Sequence, residues 1–308
     1  EWVVGDSRCD AQEARNQATK VIEQDGVSFI IGEVCSSASI PVSEVANAKN
    51  VLQISPTSTN PAVTVDEAGK HKPYTFRACF LDPFQGDVLA TFAYTDKGLK
   101  NAAILYDQGN DYVRGLGEYI KAAYEKLGGT VSVYEAYNKD DTDFSVLLSK
   151  VQDANVDVMF LPDYYNKVSL IGTQARERGI TAIMMGGDGW DSPELDLTAM
   201  DGGFFSNHYS PADPRPIVQD FITKYTEKFG QAPDALAVLA YDAANILMTA
   251  IQDAGTADPT VVKDAMLKVK VEGISGEITM DEFGNPIKSA AITAVTGGKT
   301  EFVKFVAP

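Results

Sequence analysis

The chain has 308 residues, 44% of them hydrophobic and 22% charged, which is the composition of a globular protein with room for two α/β lobes. Its net charge of −17 and pI of about 4.5 argue against nucleic acid and against an anionic membrane surface as partners. No apolar run is read as reaching the roughly 20 residues that span a bilayer, and no signal peptide is recognisable, so a cytoplasmic chain or the mature form of a secreted one is expected.

In chain order, Ala14, Ala18, Val21 and Ile22 recur at helical spacing, and residues 27–31 read as a buried strand. Cys35-Ser36-Ser37 follows that strand, then a helix over 38–48, a strand over 51–54, and Ser55-Pro56-Thr57-Ser58-Thr59. Further strands are expected at 102–106, 131–134, 156–161 and 182–185, with helices between them. Phe144, Leu147, Leu148 and Val151 mark one such helix, with Thr142 or Asp143 as its N-cap. Residues 217–229, 235–254 and 259–269 read as amphipathic helices, the last with Pro259 in its first turn. Short β-like runs at 277–280, 289–295 and 301–306 close the chain, separated by turn signals at 283–286 and 297–299. Such alternation predicts parallel, doubly wound sheets with helices on both faces.

In open α/β sheets ligands bind beyond the carboxyl ends of strands, where helices begin with free N–H groups and a positive dipole end. Both hydroxyl-rich stretches sit at such positions. They fit a small anionic group such as a carboxylate, or simple helix capping. Gly186-Gly187-Asp188-Gly189-Trp190 follows the strand at 182–185, so Asp188 is a candidate for holding an ammonium group, or alternatively an Asx-turn. Tyr112, Tyr164, Tyr165 and Trp190 lie just past strand ends as candidate pocket walls or ordinary packing. Together these residues suit a zwitterion, one pole read by each lobe.

Other chemistries find little support. No GxGxxG follows a strand, and Gly298-Lys299-Thr300 lacks both the upstream glycine and the downstream helix of a phosphate loop. Gly273-Ile274-Ser275-Gly276 is not a nucleophile elbow. With two histidines, His71 and His208, placed far from candidate nucleophiles and from metal-like spacing, neither a triad nor a zinc site is expected. No cofactor is implied. Cys9, Cys35 and Cys79 are an odd set, compatible with a Cys9–Cys35 disulfide or with three reduced thiols.

The chain resembles the periplasmic leucine/isoleucine/valine-binding proteins of ABC transporters, which have the type I periplasmic binding fold. The similarity runs through Cys9-Asp10-Ala11-Gln12-Glu13-Ala14, Gly32-Glu33-Val34-Cys35-Ser36-Ser37, Ile54-Ser55-Pro56-Thr57-Ser58-Thr59, Asp143-Phe144-Ser145 and Gly187-Asp188-Gly189-Trp190, and continues in Asn207-His208-Tyr209-Ser210-Pro211 and Ala240-Tyr241-Asp242-Ala243-Ala244. The resemblance implies a Cys9–Cys35 disulfide with Cys79 as the remaining thiol. It implies a ligand carboxylate at Ser36, Ser58 and Thr59, and an ammonium at the carbonyl of Thr57, the hydroxyl of Thr59 and Asp188. Tyr112 and Tyr164 match aromatic positions of the second lobe, and Val34 and Leu236 match the side-chain pocket. The acidic anchor is Asp where the branched-chain binders carry Glu, and Trp190 stands beside it, so an apolar or aromatic amino acid is expected. Lobe 1 is expected to comprise 1–80 and 209–283, and lobe 2 to comprise 81–208 and 284–308, with crossings near Cys79, Tyr209 and Gly284 and hinge closure over a ligand in the interlobe cleft. Relatives begin with a βα unit and a further strand before the piece matching Glu1 to Val4, so a chain starting at Glu1 is expected to be poorly folded in lobe 1. The implied role is that of a monomeric, non-enzymatic solute-binding protein, periplasmic or on the cell surface, delivering to an ABC permease. A ligand-sensing domain of the same fold is the alternative, and an amide hydrolase the more distant one.

Overall fold

Alternating strand and helix signals resolve into parallel sheets flanked by helices in a computed structural model that describes residues 2–308. The chain opens with α1 (Ala11–Glu23), β1 (Phe29–Ile31), α2 (Ser36–Lys49), β2 (Leu52–Ser55) and β3 (Thr75–Arg77). It continues with α3 (Asp82–Thr91), β4 (Asn101–Asp107), α4 (Asp111–Lys126), β5 (Thr130–Tyr137), α5 (Ser145–Ala154), β6 (Val158–Phe160), α6 (Tyr165–Glu177), β7 (Ile183–Gly186) and β8 (Phe204–Asn207). Then come α7 (Pro216–Phe229), α8 (Ala235–Ala254), α9 (Pro259–Met266), β9 (Lys270–Gly273) and β10 (Gly276–Thr279), and finally β11 (Ala290–Thr296) and β12 (Lys299–Val306). Two compact units result. Unit 1 takes the chain up to Leu81, Asp213–Ser289 and Pro308, and unit 2 takes Asp82–Ala212 and Ala290–Ala307. The last passage between units falls after Ser289 rather than near Gly284. Residues 284–289 stay with unit 1, where Thr64 Oγ1 donates to Asn285 Oδ1 at 2.8 Å and Ile287 N–H to the Thr279 carbonyl at 3.0 Å.

Unit 1 holds a three-stranded parallel sheet in the order β1-β2-β3, with Phe29 opposite Leu52 and Ile54 opposite Phe76. Leu52, Ile54 and Phe76 pack on Leu239, Ala243 and Ile246 of α8, all fully buried. At 20 residues and a mean hydropathy of 1.4, α8 has the length and composition to cross a bilayer, against the sequence-based expectation that no run does. The burial of Val238, Leu239, Ile246 and Leu247 in this core is what a central helix of such a fold needs. In contrast to the fully buried β2, the edge strand β1 is half-buried, and an apolar groove of about 650 Å³ lies beside it, lined by Val21, Val27, Phe29, Ile31, Leu247 and Ile251 among others. Unit 2 holds a seven-stranded sheet in the order β12-β11-β8-β7-β6-β4-β5, parallel except where β11 meets β8 and β12. Its core gathers Leu105, Phe144, Leu148, Met159, Ile171, Met184 and Phe205.

Helix boundaries follow local chemistry. Asp10, Asn110 and Asp234 cap α1, α4 and α8 by accepting N–H bonds from Glu13, from Tyr112 and Val113, and from Ala237. Helix α5 starts one or two residues later than expected. Phe144 occupies the N-cap without a side-chain bond, while Asp143 still accepts from Ser145 N–H at 2.8 Å. Four elements escape sequence patterning: β3, too short to show a period; α3; β8; and β9. The Cys9–Cys35 disulfide forms, and Cys79 is a buried thiol outside it.

A buried polar knot closes unit 1. Asp242, fully buried in α8, accepts from the N–H groups of Ile274 and Ser275 at 2.8 and 2.9 Å and from Ser275 Oγ at 2.6 Å. Lys288, 4% exposed, reaches the same Ser275 hydroxyl and the Ala78 carbonyl. Burial pushes the Lys288 ammonium down to about 8, with Asp242 opposing the fall.

Two expectations follow for stability. The disulfide spans 26 residues, so replacing Cys9 and Cys35 by Ser should cost about 3–4 kcal/mol on loop entropy, read as a lower Tm for the variant and for the reduced wild type. Lys288 carries a folded pKa below its unfolded value, so its burial penalty is full below pH 8 and is relieved as pH rises toward about 10.4. Urea unfolding of wild type and Lys288→Met across that window should therefore show the stability difference moving in favour of wild type. A constant difference would mean Lys288 is not desolvated.

Candidate functional site

In unit 1 the loop after β1 and the loop after β2 are laced together by hydroxyls. Ser55 Oγ donates to the Glu33 carbonyl at 2.7 Å and accepts from Ser58 N–H at 3.0 Å. Ser39 Oγ, one turn into α2, also donates to the Glu33 carbonyl at 3.0 Å and lies 2.7 Å from Ser58 Oγ. Thr57 Oγ1 donates to the Val34 carbonyl at 2.7 Å, and Ser36 Oγ accepts from Asn60 N–H at 3.2 Å. The structure thus brings Ser36, Thr57, Ser58 and Thr59 into one polar ledge at the carboxyl ends of β1 and β2. Most of these hydroxyls are occupied by the fold itself. Thr59 Oγ1 differs: it is buried and takes no hydrogen-bond partner within the fold. A buried hydroxyl without a partner costs free energy, so it marks a place where a ligand atom is wanted. Val34 beside the ledge is 42% exposed, and Leu236 is half-buried on the first turn of α8.

The ledge rests on a cation that sequence reasoning did not single out. Arg77, at the end of β3, is fully buried and donates to the carbonyls of Ser58 and Asn60 and to Thr64 Oγ1. Cys79 Sγ makes a second contact to the Ser58 carbonyl at 3.3 Å.

In unit 2, Asp188 follows β7 and is 6% exposed. Its Oδ1 accepts from Gln85 Nε2 at 2.8 Å and from Tyr112 Oη at 2.9 Å, and its Oδ2 faces His208 Nε2 at 2.9 Å. Burial alone would push the carboxyl up, but the bonds from His208, Gln85 and Tyr112 outweigh it and hold the group below the usual carboxylate range. Asp188 is therefore ionised in a nearly dry setting. The Tyr112 hydroxyl goes the other way: burial and the neighbouring Asp188 and Asp82 charges push it well up, so it stays a neutral donor. Tyr164 lies against Tyr112 with ring centroids 5.2 Å apart. Its neighbour Asp163 is pushed up to about 6 by burial, although Tyr137 Oη at 2.5 Å and Tyr164 N–H oppose the rise.

Glycines make this geometry possible. A Cβ at Gly187 would come within 2.5 Å of Tyr112 Oη, and one at Gly186 within 2.0 Å of Trp190 Nε1. The second contact carries a correction. Trp190 does not wall a ligand site: it is fully buried in the unit 2 core, donates Nε1–H to the Leu161 carbonyl at 3.0 Å and lies against Phe205. The sheet needs a large side chain there to fill the space beneath Gly186, so Trp190 lends no support to a flat or aromatic ligand. His208 and Gln85 were missed as site residues. His208 reads in sequence as a lone histidine near a crossover, and Gln85 lies on a helix with no clear pattern. His208 stands at the end of β8, next to β7 in the sheet, a strand that sequence patterning did not mark. Among the described residues no group of three or more His, Cys, Asp or Glu is arranged to hold a metal ion.

The arrangement offers hydroxyls over a buried cation in one unit and an ionised, donor-clad carboxylate in the other. Comparison with known proteins places it in context. A family model described as periplasmic binding protein matches residues 1–299. The leucine-, isoleucine-, valine-, threonine- and alanine-binding protein of Pseudomonas aeruginosa is 32% identical over 291 residues, covering 92% of this chain and 75% of that protein. The leucine-binding protein LivK of Thermotoga maritima superposes with a TM-score of 0.95 at 36% identity, over 100% of this chain and 88% of that one. The branched-chain amino acid substrate-binding protein LivJ of Streptococcus pneumoniae, solved with isoleucine, gives a TM-score of 0.91 at 26% identity, over 100% and 87% of the two chains. With the type I fold, the disulfide and these similarities in hand, the chain belongs to the branched-chain amino acid-binding family of periplasmic binding proteins.

Proposed function

We propose that the protein captures an apolar L-amino acid, of the branched-chain type first, and delivers it to an ABC transporter permease without chemical change. Membership of a solute-binding, extracytoplasmic family supports the binding role and the location. The amino acid as ligand rests on one observation above all: Asp188 is buried, ionised and clad by three donors. A carboxylate offers about four acceptor positions, so one remains, on Oδ2, for an N–H of a ligand ammonium. The carboxylate of the same ligand goes to Ser36, Ser58 and Thr59, and Val34 and Leu236 flank its side chain. Tyr112 and Tyr164 contribute by fixing and shielding Asp188. The protein acts as a monomer whose partner is the membrane permease.

The test is a thermal-shift and calorimetric screen of amino acids against their desamino acids. A ligand at about 1,000 times its Kd stabilises the native state by about 4 kcal/mol, a shift of several degrees. Asp188→Asn should weaken leucine about 100-fold and leave the matching desamino acid within about 3-fold, because only leucine presents an ammonium. Equal losses for both would show that Asp188 is structural. Thr59→Val should lower leucine affinity about 10-fold while leaving Tm unchanged or raised, since the hydroxyl it removes has no partner in the fold. A drop in Tm with unchanged affinity would remove Thr59 from the site.

A further inference from the structure

We infer that Arg77 is a positioning residue for the ligand carboxylate, acting through the Ser58–Thr59 peptide without touching the ligand; the inference rests on the amino-acid reading above. Arg77 ends β3 beneath the hydroxyl ledge, fully buried, and its fork spans two carbonyls of one loop, Nη1 on Ser58 and Nη2 on Asn60, with Thr64 Oγ1 at 3.1 Å as a third partner. Cys79 Sγ adds a contact to the Ser58 carbonyl, so that one oxygen is pinned from two sides.

The Ser58–Thr59 peptide is trans, and a planar trans peptide points its carbonyl and its N–H in opposite directions. Fixing the Ser58 oxygen on the guanidinium therefore aims the Thr59 N–H away from Arg77, toward the side of the ledge that faces a ligand. A cation on the carbonyl oxygen also draws electron density along the peptide and makes that N–H a stronger donor. The partnerless, buried Thr59 Oγ1 belongs to the same residue. A pair of donors from Thr59, N–H and O–H, is what a carboxylate takes. Lysine cannot substitute for the fork. Its ammonium is a point charge that cannot hold two carbonyls in one plane.

The experiment compares leucine with leucinol, which keeps the ammonium and the side chain but has no carboxylate. Binding of both to wild type, Arg77→Lys and Cys79→Ala is measured by calorimetry, with circular dichroism and Tm recorded for each. In Arg77→Lys the affinity for leucine should fall about 30-fold and that for leucinol by no more than about 2-fold. Cys79→Ala, a smaller change that keeps the cation, should show the same selective loss at about 3-fold. A residue that only held the fold together would weaken both ligands alike, and such a parallel loss in either variant overturns the assignment. So does an unchanged leucine affinity. If Arg77→Lys fails to fold, the leucine-to-leucinol ratio in Cys79→Ala decides. Wild type that binds leucine while this ratio stays fixed in the variants refutes the role of Arg77 alone. Wild type that binds no amino acid refutes the proposed function, and this inference with it.

Discussion

A carboxylate keeps its charge inside a protein only where hydrogen-bond donors replace the water it has lost. Asp188 meets that condition through three side chains from separate elements: Gln85 on α3, Tyr112 on α4 and His208 after β8. Each donor is held by the packing around it. Tyr112 stands at the capped start of α4, His208 follows a central strand, and Gly187 leaves room for the tyrosine hydroxyl. The charge at Asp188 is thus a property of the whole unit 2 sheet. The order of strands brings β7 and β8 side by side, and the ends of both supply the pair.

Unit 1 answers with the opposite polarity. A buried guanidinium lies under a loop of serines and threonines and holds the carbonyls of Ser58 and Asn60, while most of the hydroxyls donate to carbonyls of the two loops. The hydroxyl-to-carbonyl bonds that lace the two loops fix their shape. Under the proposed function both polarities are required, since neither alone distinguishes an amino acid from a simple acid or amine.

Much of this was legible in the chain. The strand-to-hydroxyl transitions at Ile31 and Ile54 located the ledge, and the glycines around Asp188 signalled a close approach to the backbone, which Tyr112 and Trp190 make. What stayed hidden was support from a distance. Arg77, Gln85 and His208 act on residues 19, 103 and 20 positions away, through contacts that no periodicity records. Trp190 misled for a related reason. A tryptophan beside an acidic anchor fits a pocket wall as well as ordinary packing, and its ring goes into the core. Short strands such as β3 carry too few residues to announce themselves, although this one delivers Arg77.

The burial of Trp190 has a use in the laboratory. The chain has two tryptophans, and Trp2 of unit 1 is 80% exposed while Trp190 of unit 2 is fully enclosed. Their fluorescence should differ in colour, the enclosed indole emitting at shorter wavelength. With Trp2 changed to Phe, the remaining emission reports the packing of unit 2 alone, two residues along the chain from Asp188. Melting of the two units, and any loosening around the anchor, becomes separable by light without an added dye.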